Sequence, residues 1–258
     1  MVAAVAAPWV GVLWLTAVPL RLLQVAFADR LIELGADARR YGDWFGELSW
    51  AIGLAFLLAL YGRAVYARAC GERYASGRTP GWRALAVPLG ATLVYFYVAL
   101  VLEALFVALA VTGVAVPVLV TLGGLAAASL PFYGRPGLFA PLRTVLAAGR
   151  AGRTLVASIF LFSTAFLVAA LNLLFLVQLA LLLADGAFGA SLAPWKAALG
   201  LEGRAFLLLL AAGAWLLVEP YWLAFLVVYV RRLRGRTRGE DLRRQWAELQ
   251  ASEYAPSA

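Results

Sequence analysis

Two glutamates lie where glutamates rarely lie. Glu103 sits inside YFYVALVLEALFVALA and Glu219 inside AAGAWLLVEPYWLAF, both within long apolar runs. A charge at the centre of a bilayer costs about 2.5–3.5 kcal/mol on insertion scales, so each requires a reason. Four more polar residues share the predicament: Arg21, Gln24, Asn172 and Gln178. Together the six define a candidate intramembrane polar site, with Arg21 as counter-ion to Glu103 or Glu219. Desolvation and a nearby arginine push the proton affinity of such a carboxylate in opposite directions, an arrangement that suits proton-coupled transport. Pro220, next to Glu219, removes a backbone donor and should free the carbonyl one turn earlier, at Leu216. The simpler reading is helix glue, in which the same groups hydrogen-bond across a bundle at about 0.6–2 kcal/mol each.

Composition removes most other chemistry. The chain has no histidine, one cysteine (Cys70) and one methionine (Met1). Zinc, copper and haem sites draw on those residues, so neither a metal nor a cofactor is expected. Histidine-dependent triads are excluded on the same ground. The single lysine, Lys196, lies in a loop, which argues against a retinal Schiff base. Glu72, Tyr74 and Ser76 are the only cluster that could serve an interfacial lipid-modifying reaction, and the expectation is that the chain is not an enzyme. Nucleic acid is an equally poor partner. The net charge of +8 serves membrane orientation and anionic lipid first.

The elements that must position these residues are transmembrane helices. Of 258 residues, 64% are hydrophobic and 14% charged, whereas a soluble domain carries about 25% charged residues. Roughly 20 apolar residues in a helix cross a bilayer, and the sequence predicts six such spans, near 8–28, 48–69, 85–111, 114–132, 154–184 and 205–230. The MVAAVAAPWVGVLWL run has no basic residue before it, so it reads as a retained first helix. Arginines sort by connection. Arg68, Arg73, Arg78 and Arg83 follow the second span, and Arg135, Arg143, Arg150 and Arg153 precede the fifth. Arg231, Arg232, Arg234, Arg236 and Arg238 follow the sixth, while the segment 29–47 holds five acids against three arginines. The excess of positive charge in alternate connections places both termini in the cytoplasm.

The architecture expected is therefore an all-α polytopic bundle over residues 1–232, followed by a basic and then amphipathic cytoplasmic tail over 233–258. Two amphipathic stretches, GLFAPLRTVLAAGRAGR (137–153) and EDLRRQWAELQ (240–250), are expected to lie along the interface. Arg73, Arg78, Arg83, Arg143, Arg150, Arg153, Arg231, Arg232 and Arg234 are the candidates for meeting anionic lipid headgroups or a protein partner. Small residues at Gly123, Gly124 and 126–128 permit close helix approach, within the fold or in a homo-oligomer.

Three segments carry a family resemblance: GRTPGWRAL before the third span, PLRTVLAAGRAGRTL before the fifth, and the ending EPYWLAFLVVYVRRLRGRTRGEDL. In their order the chain resembles bacterial and archaeal six-helix membrane proteins, among them the membrane domain of some glycerophosphodiester phosphodiesterases. The resemblance implies a membrane module in a bacterial inner (plasma) membrane, without the phosphodiesterase chemistry of the soluble domain. The functional expectation is a scaffold, assembly or accessory subunit of a membrane complex. A small transporter or channel built on the polar site is the alternative.

Overall fold

Backbone amides find no water in hydrocarbon, so apolar runs of this length must close their hydrogen bonds internally, as helices do. In the computed structural model the described residues are 5–34, 38–86, 97, 101, 121, 124–128, 152–188, 199, 203–238 and 246, of which 24, 27–34, 38–49, 83, 84, 152, 188, 204 and 234–238 are described by their backbone alone. They form helix α1 (Ala7–Leu34), α2 (Ala38–Ser76), a 3-10 turn (Trp82–Leu85), α3 (Gly152–Phe188) and α4 (Arg204–Arg238). A helical stretch at 124–128 accompanies them, and no strand occurs among the described residues. Among the described residues three helices are long and apolar enough to cross a membrane, through Trp50–Ser76, Arg153–Ala187 and Ala205–Leu233. The apolar part of α1, Ala7–Leu23, is shorter.

These helices coincide with the first, second, fifth and sixth expected spans and outgrow all four. Hydropathy marks only the part of a helix suited to hydrocarbon, whereas the good helix formers Glu, Arg, Ala and Leu carry it further. The acidic connection expected at 29–47 is thus mostly helical, because α1 runs to Leu34 and α2 starts at Ala38. Likewise α4 passes through the expected tail boundary at 232 and ends at Arg238. The third and fourth spans, except for the few positions above, lie outside the described residues. So do the two expected interfacial helices, apart from Gly152, Arg153 and Trp246.

α1 and α2 pack as an antiparallel pair. At one end Leu20 and Leu23 meet Ala55, Phe56 and Ala59. At the other, the Trp9 indole donates to the Pro80 carbonyl at 3.1 Å, just past the end of α2. Between them the helices nearly touch. A Cβ added to Gly62 would lie 1.8 Å from Thr16 Oγ1 and 2.7 Å from Thr16 Cβ. The Thr16 hydroxyl is itself held by the Val12 and Leu13 carbonyls, at 2.8 and 3.0 Å. α2 stops at Gly77, whose φ of 69° and N–H to the Arg73 carbonyl form a left-handed C-terminal cap. The chain then folds back along α2, where the Tyr61 hydroxyl takes the Leu85 carbonyl at 2.8 Å and Arg68 takes that of Ala86.

α4 is the helix that the others share, packing on α1, α2 and α3. Beside α2 it runs parallel, with Tyr66 donating to the Pro220 carbonyl and Arg231 lying 5.1 Å over the Tyr74 ring. α3 runs antiparallel to it. Phe162 packs on Trp222 and Phe225, Phe166 on Trp215, and Leu173 lies beside Gly213. The 124–128 stretch is buried and brings Gly124 against Leu226 and Trp222.

Pro220 has the consequence its sequence position implied. The Leu216 carbonyl accepts a hydrogen bond at 2.7 Å from Trp14 Nε1 of α1, so the free acceptor becomes a joint between helices. Trp14→Phe should lower stability by about 1–2 kcal/mol, the cost of an unsatisfied acceptor. Adding Pro220→Ala, which returns the missing backbone donor, should recover most of that loss in a detergent melt. An equal loss with alanine present would show that the joint is packing alone.

Candidate polar site within the helix bundle

Glu219 is the best-defined member of the site. Its side chain is 1% exposed, and its Oε1 receives Arg63 Nε at 2.5 Å. Arg63 is 18% exposed and comes from α2. Arg21 was expected as counter-ion to either Glu103 or Glu219; the cation on Glu219 is Arg63, and Glu103 lies outside the described residues. Arg21 lies with its guanidinium 5.9 Å from the centre of the Trp215 ring, a cation–π distance. Counting at 1.5 Å per residue, the pair lies about 16–18 Å from the Tyr74–Arg231 stack, near the middle of a core about 30 Å thick.

Sequence reasoning passed over Arg63 because it stands five residues before Arg68, in step with the arginines Arg68, Arg73, Arg78 and Arg83 of the connection that follows. A depth signal was available. Arg63 precedes Arg73 by ten residues and Glu219 precedes Arg231 by twelve, so in two parallel helices they stand at nearly one level. Opposite charges at equal depth in neighbouring helices are each other's natural partners.

Of the other expected site residues, Arg21 stands one turn along α4 from Glu219, on Trp215, whereas Asn172 and Gln178 make their hydrogen bonds elsewhere. Asn172 donates to the Val168 carbonyl of its own helix at 2.8 Å, and Gln178 to the Leu199 carbonyl at 2.9 Å. Both are exposed on α3. Glu103 and the side chain of Gln24 lie outside the described residues. Closer to Glu219, its Oε2 and the Nε1 atoms of Trp215 and Trp222 are buried and make no hydrogen bond among the described residues. At positions i−4, i and i+3 these three share one side of α4. Two donors and one acceptor in a row can hold a water or a small polar solute.

Of the candidate headgroup contacts, Arg73, Arg78, Arg153, Arg231 and Arg232 are described. The helix directions bring them to a single end of the bundle, where α1 and α3 begin and α2 and α4 finish. Arg73 reaches Thr79 at 3.2 Å, and Arg68 pairs with Glu72 at 2.9 Å. Trp82, 83% exposed, stands at this end with its ring edge-on to Trp9. Arg143 and Arg150 and the side chains of Arg83 and Arg234 lie outside the described residues. The Glu72, Tyr74 and Ser76 cluster is part of the same corner: Glu72 holds Arg68, Ser76 caps onto the Glu72 carbonyl, and Tyr74 carries Arg231. No group of three His, Cys, Asp or Glu side chains is close enough to hold a metal ion among the described residues. Comparison of the chain with protein-family models, with curated proteins and with solved structures finds no match in any of the three.

Proposed function

We propose that the chain is a non-enzymatic, six-span component of a bacterial plasma membrane that serves as a scaffold or accessory subunit of a membrane complex, both termini being cytoplasmic. The observation that carries this reading is the scatter of the polar residues. The central carboxylate is engaged by an arginine of the neighbouring helix, while Asn172 and Gln178, both exposed on α3, donate to the backbone carbonyls of Val168 and Leu199. Charges used in this way join helices rather than line a path for solute. The arginine-rich end supports the orientation by the positive-inside rule, and Trp82 would sit at the headgroup level beside it. The resemblance to the membrane domain of glycerophosphodiester phosphodiesterases fits a membrane module of this kind.

A pull-down of the tagged chain from native membranes in mild detergent tests the proposal. A second protein in fixed ratio is the expected result. The competing reading is a small carrier, favoured by the row of Trp215 Nε1, Glu219 Oε2 and Trp222 Nε1 on α4. A chain that purifies without any other protein, and whose solute flux in vesicles disappears with Glu219→Gln, would replace the first reading by the second.

A further inference from the structure

α3 stands apart from the other helices in what it leaves uncovered. It meets α4 through Phe162, Phe166 and Leu173 and also buries Leu155 and Ser158, and from 163 to 187 no residue of it is buried. An apolar helix face needs no protein cover in lipid, so exposure alone argues nothing. Asn172 changes the argument. It stands 19 residues after Arg153 and 13 before Asp185, so about 28 and 20 Å of apolar helix separate it from the nearest charges on α3. Its exposed carboxamide has two donors and a two-lone-pair acceptor, and one donor goes to the Val168 carbonyl. Thr164, by contrast, settles its single hydroxyl proton on the Phe160 carbonyl. The Asn172 oxygen and second proton would face hydrocarbon, where unsatisfied polar groups are costly.

The residues sharing a stripe with Asn172 form a repeat. Leu161, Ala165, Val168, Asn172, Phe175, Leu179 and Leu182 are spaced 4-3-4-3-4-3, the alternation of a two-stranded coiled-coil seam. All seven are exposed, the five large apolar ones by 39–67%. The stripe lies roughly 100° around the helix from the side that meets α4, so a further helix fits there without displacing it. In this register Asn172 takes the position where a single asparagine fixes register and strand number in two-stranded coils.

We propose that this stripe is a homodimer interface in which α3 pairs in parallel with α3 of a second copy, Asn172 facing Asn172. A second copy is the occupant that the chemistry selects. A carboxamide is self-complementary, and two chains inserted in the same direction are related by a two-fold axis along the membrane normal, which sets identical residues opposite each other. The pairing does not rest on the scaffold reading, since a carrier would dimerise through the same face equally well.

The test uses the full chain in lipid nanodiscs, with single cysteines placed in a Cys70→Ala background. Val168→Cys and Phe175→Cys, on the stripe, should oxidise to a covalent dimer, whereas Leu167→Cys and Phe160→Cys, exposed off it, should not. Asn172→Leu should weaken the dimer by about 3- to 30-fold, the range expected of one interhelical hydrogen bond, and Asn172→Gln should largely keep it. A monomeric mass at all protein-to-lipid ratios would overturn the proposal. So would equal cross-linking on and off the stripe, or an unchanged equilibrium in Asn172→Leu, which would mean that lipid or another helix of the same chain covers this face.

Discussion

Replacing Arg63 by leucine should cost more stability than any other single substitution in the described bundle. The substitution removes the cation and leaves the 1%-exposed Glu219 carboxylate in apolar surroundings. Breaking one side of a buried ion pair typically costs about 3–5 kcal/mol, most of it the penalty of the charge left behind. Glu219→Leu should do comparable damage by stranding Arg63, somewhat less because Arg63 retains 18% exposure and a long stem that can snorkel. The double variant, with both charges gone, should recover most of the loss, since apolar residues often replace a buried pair at no net cost. Unfolding of all three in mixed micelles closes the cycle. Additive losses in the double variant would mean that the two side chains do not stabilise each other.

Gly62→Ala should also destabilise, although alanine is the better helix former by about 1 kcal/mol. The added methyl would overlap Thr16, whose hydroxyl is tied to two carbonyls and has nowhere to turn. Relief requires α1 to move off α2, and overpacking of this kind costs about 1–3 kcal/mol or slightly more. A net loss of about 1–2 kcal/mol is expected, the clash less the helical gain. The sign should reverse once Thr16 is replaced by glycine, because alanine's helical preference then acts without the clash. A melting temperature that rises on Gly62→Ala in the unaltered chain would show that the two helices are not held at this distance.

Both outcomes turn on pairs 46 and 156 residues apart, which marks what the sequence can express. Helical class and the apolar stretches of α2, α3 and α4 were legible because hydropathy is a property of a run. The freed carbonyl at Leu216 was legible because proline acts on its own helix. Partner choice was not. Glu219 was recognised as out of place, but Arg21 was offered to it or to Glu103 and the cation it holds is Arg63, since nothing within either run states which helices lie side by side. The acidic stretch 29–47 was misread for a related reason: polarity shows where hydrocarbon ends, not where hydrogen bonding along the helix ends. Asn172 and Gln178 were assigned to a shared site with Glu219, and only the position of α3 at the rim of the described bundle separates them from it.

The Arg63–Glu219 pair also sets a timetable for biogenesis. Its members are 156 residues apart in the chain, so at about 5–20 residues per second the ribosome delivers the glutamate about 8–30 s after the arginine. During that interval α2 exists without its neutralising neighbour. Its guanidinium must shelter among headgroups or beside the insertion machinery, and α2 can settle at its final depth only when α4 arrives. A chain truncated before α4 should therefore hold α2 shallow in the bilayer and present it to membrane quality control as unfinished.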